Sequence, residues 1–292
     1  MIDPQKQQQL EHLIEPLGNA VVAFSGGADS TLLLAVCLRV LGPGHVLAVT
    51  ADSPTLPRSE LKEAAALAAE LGAPHLVVPT DELHDADFAG NSPDRCYFCK
   101  RELFATLQRI ADERGFRYLL LGATADDLGD YRPGLRAATE AGARSPLLDA
   151  GFTKAEVREL SRQLGLRTWD KPAAACLSSR VPYGTPITAT TLAQVEQAEE
   201  LLRCGLGFRQ VRVRHHGPVA RIEVGSDELP RLMEGPIRQW IDVNLKQLGY
   251  TYVAVDLEGF RSGSMNEVLE EKSAVRSPNA EESPAVSQER KL

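Results

Sequence analysis

Apolar and polar positions follow two different periods along the first half of the chain. Short apolar runs at 19–24, 46–51, 75–79 and 117–122 read as buried strands. Segments with helical spacing lie before and between them, at about 4–17, 30–41, 57–72 and near 97–114. The third carries an alanine-rich face from Ala64 to Ala69. Strands alternating with helices predict a parallel sheet covered by helices on both faces, an α/β fold of Rossmann-like type. Ligands of such sheets sit beyond the carboxyl ends of the strands. The segments around Ser25, Asp52 and Gly122 are therefore expected to meet.

Further on, Thr153 followed by Glu156 predicts a capped helix start, and that helix ends at Gly165. From Asp170-Lys171-Pro172 to Tyr183-Gly184 prolines and glycine predict a long loop, a kind of segment that commonly carries function. After 188 the order becomes helix, strand, strand, helix, strand: 188–204, 210–215, 219–224, 227–248 with a break at Gly235-Pro236, and 252–257. His216-Gly217-Pro218 reads as a hairpin turn. This pattern predicts a first domain over 1–184 and a smaller α+β domain over 185–269. Residues 270–292 are polar and aperiodic, and a disordered tail is expected there.

At 292 residues and 43% hydrophobic content, the chain can bury the core of one large or two modest domains. A formal net charge of −8 supplies no basic field for nucleic acid or an anionic membrane. The N-terminus is polar, and no apolar run approaches the ~20 residues that span a bilayer. A cytoplasmic location without nucleic-acid or membrane partners is the expectation. Five cysteines, an odd number without an export signal, argue for thiol or metal chemistry over a disulfide framework. Cys37 falls in an apolar helix and reads as core. Cys204 sits near a helix end and reads as structural. Cys96, Cys99 and Cys176 lie in irregular or loop-flanked segments.

The most specific string is Phe24-Ser25-Gly26-Gly27-Ala28-Asp29-Ser30-Thr31, which follows the strand Ala20-Val21-Val22-Ala23 and opens a helix. Glycines let a ligand approach the backbone. The free N–H groups and dipole of a helix start favour an anion, and Ser25 and Ser30 add hydroxyls. Asp29 beside a phosphate calls for a cation such as Mg²⁺. The plain alternative is a tight turn capped by Asp29. The string lacks the lysine of the Walker A loop and the spacing of G-x-G-x-x-G. It resembles the PP-loop of ATP pyrophosphatases, which cleave ATP to AMP and pyrophosphate. That resemblance implies an ATP site at Ser25, Gly26, Gly27, Asp29, Ser30, Asp52 and Gly122, with Asp29 and Ser30 acting in catalysis.

Further segments keep one order: Asp94-Arg95-Cys96-Tyr97-Phe98-Cys99-Lys100, Gly122-Ala123-Thr124-Ala125-Asp126-Asp127, Ala175-Cys176-Leu177-Ser178-Ser179-Arg180, Val211-Arg212-Val213-Arg214-His215, and Gly259-Phe260-Arg261-Ser262-Gly263-Ser264-Met265-Asn266. Together they resemble the LarE family of ATP-dependent sulfur transferases in nickel-pincer nucleotide biosynthesis. The resemblance implies adenylation of the carboxylates of pyridinium-3,5-biscarboxylic acid mononucleotide and replacement of the activated oxygen by sulfur. It also implies a ring-like homo-oligomer, with a hexamer as one candidate. Single-cysteine members give up the sulfur of the cysteine matched by Cys176. Members with three cysteines are associated with a [4Fe–4S] cluster, which here implies Cys96, Cys99 and Cys176 as ligands. Read from the residues alone, Cys96-x-x-Cys99 has three plainer readings: a thioredoxin-like dithiol, which its place away from a first strand speaks against, half a zinc site, for which Cys176 with His84 or His216 would have to complete the set, or two incidental thiols.

Arg212 and Arg214 share one face of a strand. Two readings stand: a solvated face balanced by Glu223, or two guanidinium forks for a phosphate. The resemblance favours the substrate 5′-phosphate, adds Arg180 and Arg261 to the same cluster, and leaves Glu223 to orient an arginine or hold a cation. Rival functions are a PP-loop tRNA thiolase, an ammonia-using amide ligase and a non-catalytic nucleotide-binding protein.

Overall fold

The computed structural model describes residues 3–129, 132–172, 175–261 and 264–265. The tail expected over 270–292 lies outside them. Four parallel strands, β1 (Ala20–Ala23), β2 (Val46–Asp52), β3 (His75–Pro79) and β4 (Tyr118–Leu120), form a sheet in the order β3-β2-β1-β4. All of β1 is buried, as a central parallel strand requires. Its side chains alternate between two cores. Ala20 and Val22 join one with α1 (Pro4–Ile14), α2 (Ala28–Leu41) and α3 (Arg58–Glu70); Val21 and Ala23 join the other.

The second core is supplied by Phe104, Leu107, Ile110 and Ala111 of α5 (Arg95–Arg114), which follows the short α4 (Ala86–Ala89). Two helices stand where the sequence showed no period, α6 (Pro133–Glu140) and α7 (Pro146–Asp149). Each starts with a proline in its first turn, which presets φ and lacks an N–H that a helix start would leave unpaired. The capping box of α8 (Lys154–Gln163) is formed by Thr153 and Glu156, as the sequence indicated. The parallel sheet with helices on both faces is thus as expected.

The remaining chain makes α9 (Ala189–Glu200), β5 (Val211–His216), β6 (Val219–Val224), α10 (Leu229–Leu232), α11 (Gly235–Gln247) and β7 (Tyr252–Val255). β5 and β6 form the expected antiparallel hairpin, and β7 joins β6 in parallel. Val211, Val213, Ala220, Ile222 and Val224 turn inward onto α11, with Ile241 and Leu245 in the same core. The alternate face, with Arg212, Arg214, Arg221 and Glu223, turns the other way. A fourth apolar cluster joins Phe88 and Leu177 to Leu192 and Val195 of α9. Hydrophobic contact therefore crosses the 184/185 boundary read from the sequence.

Candidate active site

Gly27 is the N-cap of α2 and offers no side chain to its first turn. The leading N–H groups of a 14-residue helix thus keep no capping partner, and the positive end of its dipole stands beside exposed Ser25. Asp29 lies in the first turn and is no cap. The Ser25 and Ser30 hydroxyls are 3.2 Å apart. Glycine is required at two places. Gly26 has φ +71°, and a Cβ there would lie 3.0 Å from Ala64 Cα on α3. A Cβ on Gly122 would lie 3.0 Å from backbone atoms of Asp29 and Ser30. The end of β4 therefore rests on the loop. The end of β2 joins them through the Thr50 hydroxyl, which donates to the Phe24 carbonyl at 2.7 Å. Asp52 itself is ion-paired with Arg58.

Burial raises the Asp29 carboxyl above its ordinary range, Lys154 opposes the rise, and Asp127 adds to it. Burial would raise Asp127 too, but the Thr124 N–H and the charges of Arg132 and Lys154 hold it below the usual range. Asp29, Asp127 and Lys154 thus share one electrostatic neighbourhood. Among the described residues no three ligating side chains come close enough to hold a metal ion. The acids suit Mg²⁺ that arrives on phosphate oxygens and keeps its waters. Sequence reasoning missed Lys154, Asp127 and Lys171. Lys171 reaches the Gly26 carbonyl at 3.1 Å, from 145 positions away. Its one sequence signal is its place in an irregular stretch too long for a simple connector.

The four arginines separate. Arg214 is 1% exposed and makes a two-bond pair with Glu223, at 2.8 Å from both Nε and Nη2. Its remaining contacts go to the Ser179 carbonyl at 2.7 Å and the Ser264 hydroxyl at 2.8 Å. Arg180 is buried on Glu199 at 2.8 and 3.0 Å and on the Ala175 and Cys176 carbonyls. Arg261 pairs with Glu258 and lies 3.9 Å from Asp256. These three guanidinium groups have protein partners among the described residues. A strand face covered by the 177–180 turn cannot leave such forks in solvent. Arg212 differs. It is half-buried, stacks 4.4 Å over the Phe260 ring, and has no carboxylate partner among the described residues. Burial, then the charges of Arg180 and Arg214, lower its pKa to about 10. It remains a cation at neutral pH, in a place where an anion would be welcome.

Cys96 and Cys99 occupy the first turns of α5, and Cys176 precedes the turn Leu177–Arg180. Leu177 N–H donates to the Thr55 carbonyl at 2.8 Å, just beyond β2. Burial raises the Cys96 thiol, and the Cys176 charge raises it further. Burial also pushes Cys99 up to about 12, with Lys100 opposing and Glu82, Cys176 and Cys96 adding. Each of the three thiols is thus close enough to be felt electrostatically by another, although they do not close into a metal site. His84 is exposed and bonded to Asp81 at 2.6 Å, and His216 lies at the exposed end of β5. No Cys₃His group is formed among the described residues. Cys37 is fully buried in the first core, as expected. Cys204 is exposed, in a one-turn π segment that follows α9, so it has no packing role.

A parallel sheet with an uncapped glycine-serine turn at its carboxyl edge defines a PP-loop ATP pyrophosphatase domain, and the NAD synthase family profile matches residues 8–109. The chain is 45% identical over 264 residues to pyridinium-3,5-bisthiocarboxylic acid mononucleotide synthase of Lactiplantibacillus plantarum, covering 90% of this chain and 95% of that one. An uncharacterized protein of Synechocystis sp. is 44% identical over 264 residues, 90% of this chain and 98% of its own. The NH3-dependent NAD+ synthetase of Methanococcus aeolicus is 28% identical over 166 residues, 50% of this chain and 59% of its own. The chain belongs to the LarE family of PP-loop enzymes. No helix among the described residues is long and apolar enough to cross a membrane.

Proposed function

We propose that the enzyme is an ATP-dependent sulfur transferase acting on pyridinium-3,5-biscarboxylic acid mononucleotide. The observation that carries this reading is the 45% identity to the bisthiocarboxylic acid mononucleotide synthase over nearly the full length of both chains. The ammonia ligase is less well supported, because its likeness stops at half of the chain.

A carboxylate cannot expel oxide, so it must first gain a leaving group. Its oxygen attacks the α-phosphorus of ATP, and pyrophosphate leaves with the bonding electrons. The N–H groups at the start of α2 and the hydroxyls of Ser25 and Ser30 suit the departing anion. Asp29 would help hold Mg²⁺ arriving with the nucleotide, and that ion would spread the developing charge. Sulfur then attacks the acyl carbon, and AMP leaves. Arg212 takes the 5′-phosphate of the substrate, while Glu223 and Ser179 hold Arg214 beside it as a fixed positive charge. In this reading residues 1–184 supply ATP chemistry and 185–269 the substrate face, in a cytoplasmic homo-oligomer, a hexamer on the family pattern.

Cys96, Cys99 and Cys176 suit a [4Fe–4S] cluster in their donor chemistry, being three thiols from two elements. Binding it requires the three thiols to lose their protons, against the burial that raises Cys96 and Cys99, and to draw together. When bound, the cluster supplies sulfide without consuming Cys176. Anaerobically purified enzyme is expected to contain iron and acid-labile sulfide. Given ATP, Mg²⁺ and substrate, it should make thiocarboxylate and retain all five cysteines by mass. Conversion of Cys176 to dehydroalanine in cluster-loaded enzyme would replace the cluster with a sacrificial cysteine. Absence of any thiocarboxylate would remove the function.

A further inference from the structure

Lys171 is a lysine in a loop, yet only 12% of its side chain is exposed. Its ammonium donates to Glu60 at 2.8 Å, to Glu63 at 2.7 Å and to the Gly26 carbonyl at 3.1 Å. Three donors thus meet three acceptors, and the side chain has none left over. Its backbone is held as well: the Lys171 carbonyl accepts from Arg158 at 2.8 Å, and its N–H donates to the Thr168 carbonyl at 3.1 Å.

The bond to Gly26 has a geometric consequence. In a trans peptide the C=O and the following N–H point in opposite directions. If the Gly26 carbonyl is drawn toward Lys171 and α3, the Gly27 N–H must point into the turn. It does so, toward Ser25 Oγ at 3.4 Å. A peptide between two glycines is the easiest kind to flip, because neither residue restricts φ through a Cβ. A flipped peptide would present its carbonyl oxygen to the phosphates and remove a donor from the anion site. Ala64 closes the outer side of the turn at Gly26, but its side chain has no polar atom and its N–H lies within α3, so it does not choose between the two orientations.

We propose that Lys171 is a positioning residue of the nucleotide site, holding the Gly26–Gly27 peptide with its N–H turned toward the phosphates. Glu60 and Glu63 hold the ammonium so that it reaches the carbonyl and not the ligand. The same residue ties the loop that leads to Cys176 onto the PP-loop. That loop is pinned again at Leu177, whose N–H donates to Thr55. The inference rests on the ATP-binding reading of the turn and names a residue that reading does not contain.

The test compares equilibrium binding of Mg²⁺-pyrophosphate and of adenosine to the native enzyme, Lys171→Met and Lys171→Arg. Loss of one oriented donor should weaken pyrophosphate binding in Lys171→Met by about tenfold or more. Adenosine affinity should stay at the native level, and Lys171→Arg should recover most of the loss. Lys171→Met leaves two carboxylates without their cation, so it is also made with Glu60→Gln and Glu63→Gln, which keeps the fold testable. Equal losses for pyrophosphate and adenosine, or no loss for either, would overturn the positioning role. A native enzyme that does not bind pyrophosphate would instead overturn the PP-loop reading on which it rests.

Discussion

Arg212 and Arg214 share the outer face of β5, yet Arg214 is bonded to Glu223 while Arg212 lies on Phe260 without a carboxylate. Their substitution should therefore have opposite effects. Arg214→Ala takes the two-bond partner from a Glu223 that is 1% exposed and leaves it only Arg221 at 3.3 Å, so the cost should approach the about 3–5 kcal/mol of a broken buried pair. Arg212→Ala removes a cation that already suffers burial and two like-charged neighbours, so the unfolding midpoint should stay close to native. Its loss should appear as weaker binding of the substrate mononucleotide, with ATP affinity kept. Urea denaturation and ligand titration of both variants separate these outcomes; matched losses of stability would contradict the assignment. The sequence made this pair legible as neighbours on one face, because strand alternation is local. It could not separate them, because the 177–180 turn that buries Arg214 is brought in by tertiary folding. Lys171 was hidden for the same reason, since its partners lie 108 to 145 positions away.

At the scale of elements, what could be read was what depends on local period. β1, α2 and the Thr153–Glu156 capping box appear where apolar spacing and cap chemistry placed them. The helices α6 and α7 were missed because eight and four residues are too few to set a period. The parallel pairing of β7 with β6 was equally invisible, since nothing in a strand's own residues names its partner. The junction of β4 with the PP-loop is the element contact on which the site depends most. At Gly122 an added Cβ would meet backbone, which cannot swing aside as a side chain can. Gly122→Ala should cost about 1–3 kcal/mol by overpacking and displace the first turn of α2. AMP formation should fall more than stability does. Full activity in a normally stable Gly122→Ala enzyme would show that the contact does not shape the site.

At the scale of the molecule, one loop connects the two chemical ends. Lys171 touches the PP-loop, Cys176 carries a thiol, and Ser179 accepts from Arg214. Phe88 of α4, Leu177 of the same loop and Val195 of α9 pack in one apolar cluster, so the parts of the chain before and after residue 184 are joined by buried contact as well as by chain. Under the proposed function, this loop would bring nucleotide, sulfur and substrate phosphate to a common region, which an adenylation followed by sulfur attack requires. Each sulfur inserted should depend on one cleavage of ATP between its α- and β-phosphates. The ratio of AMP released to thiocarboxylate formed, with Mg²⁺-ATP and the pyridinium biscarboxylate mononucleotide as substrates, measures this dependence. One AMP and one pyrophosphate are expected for each sulfur, and no ADP. Thiocarboxylate formed without AMP, or with ADP in its place, would contradict it.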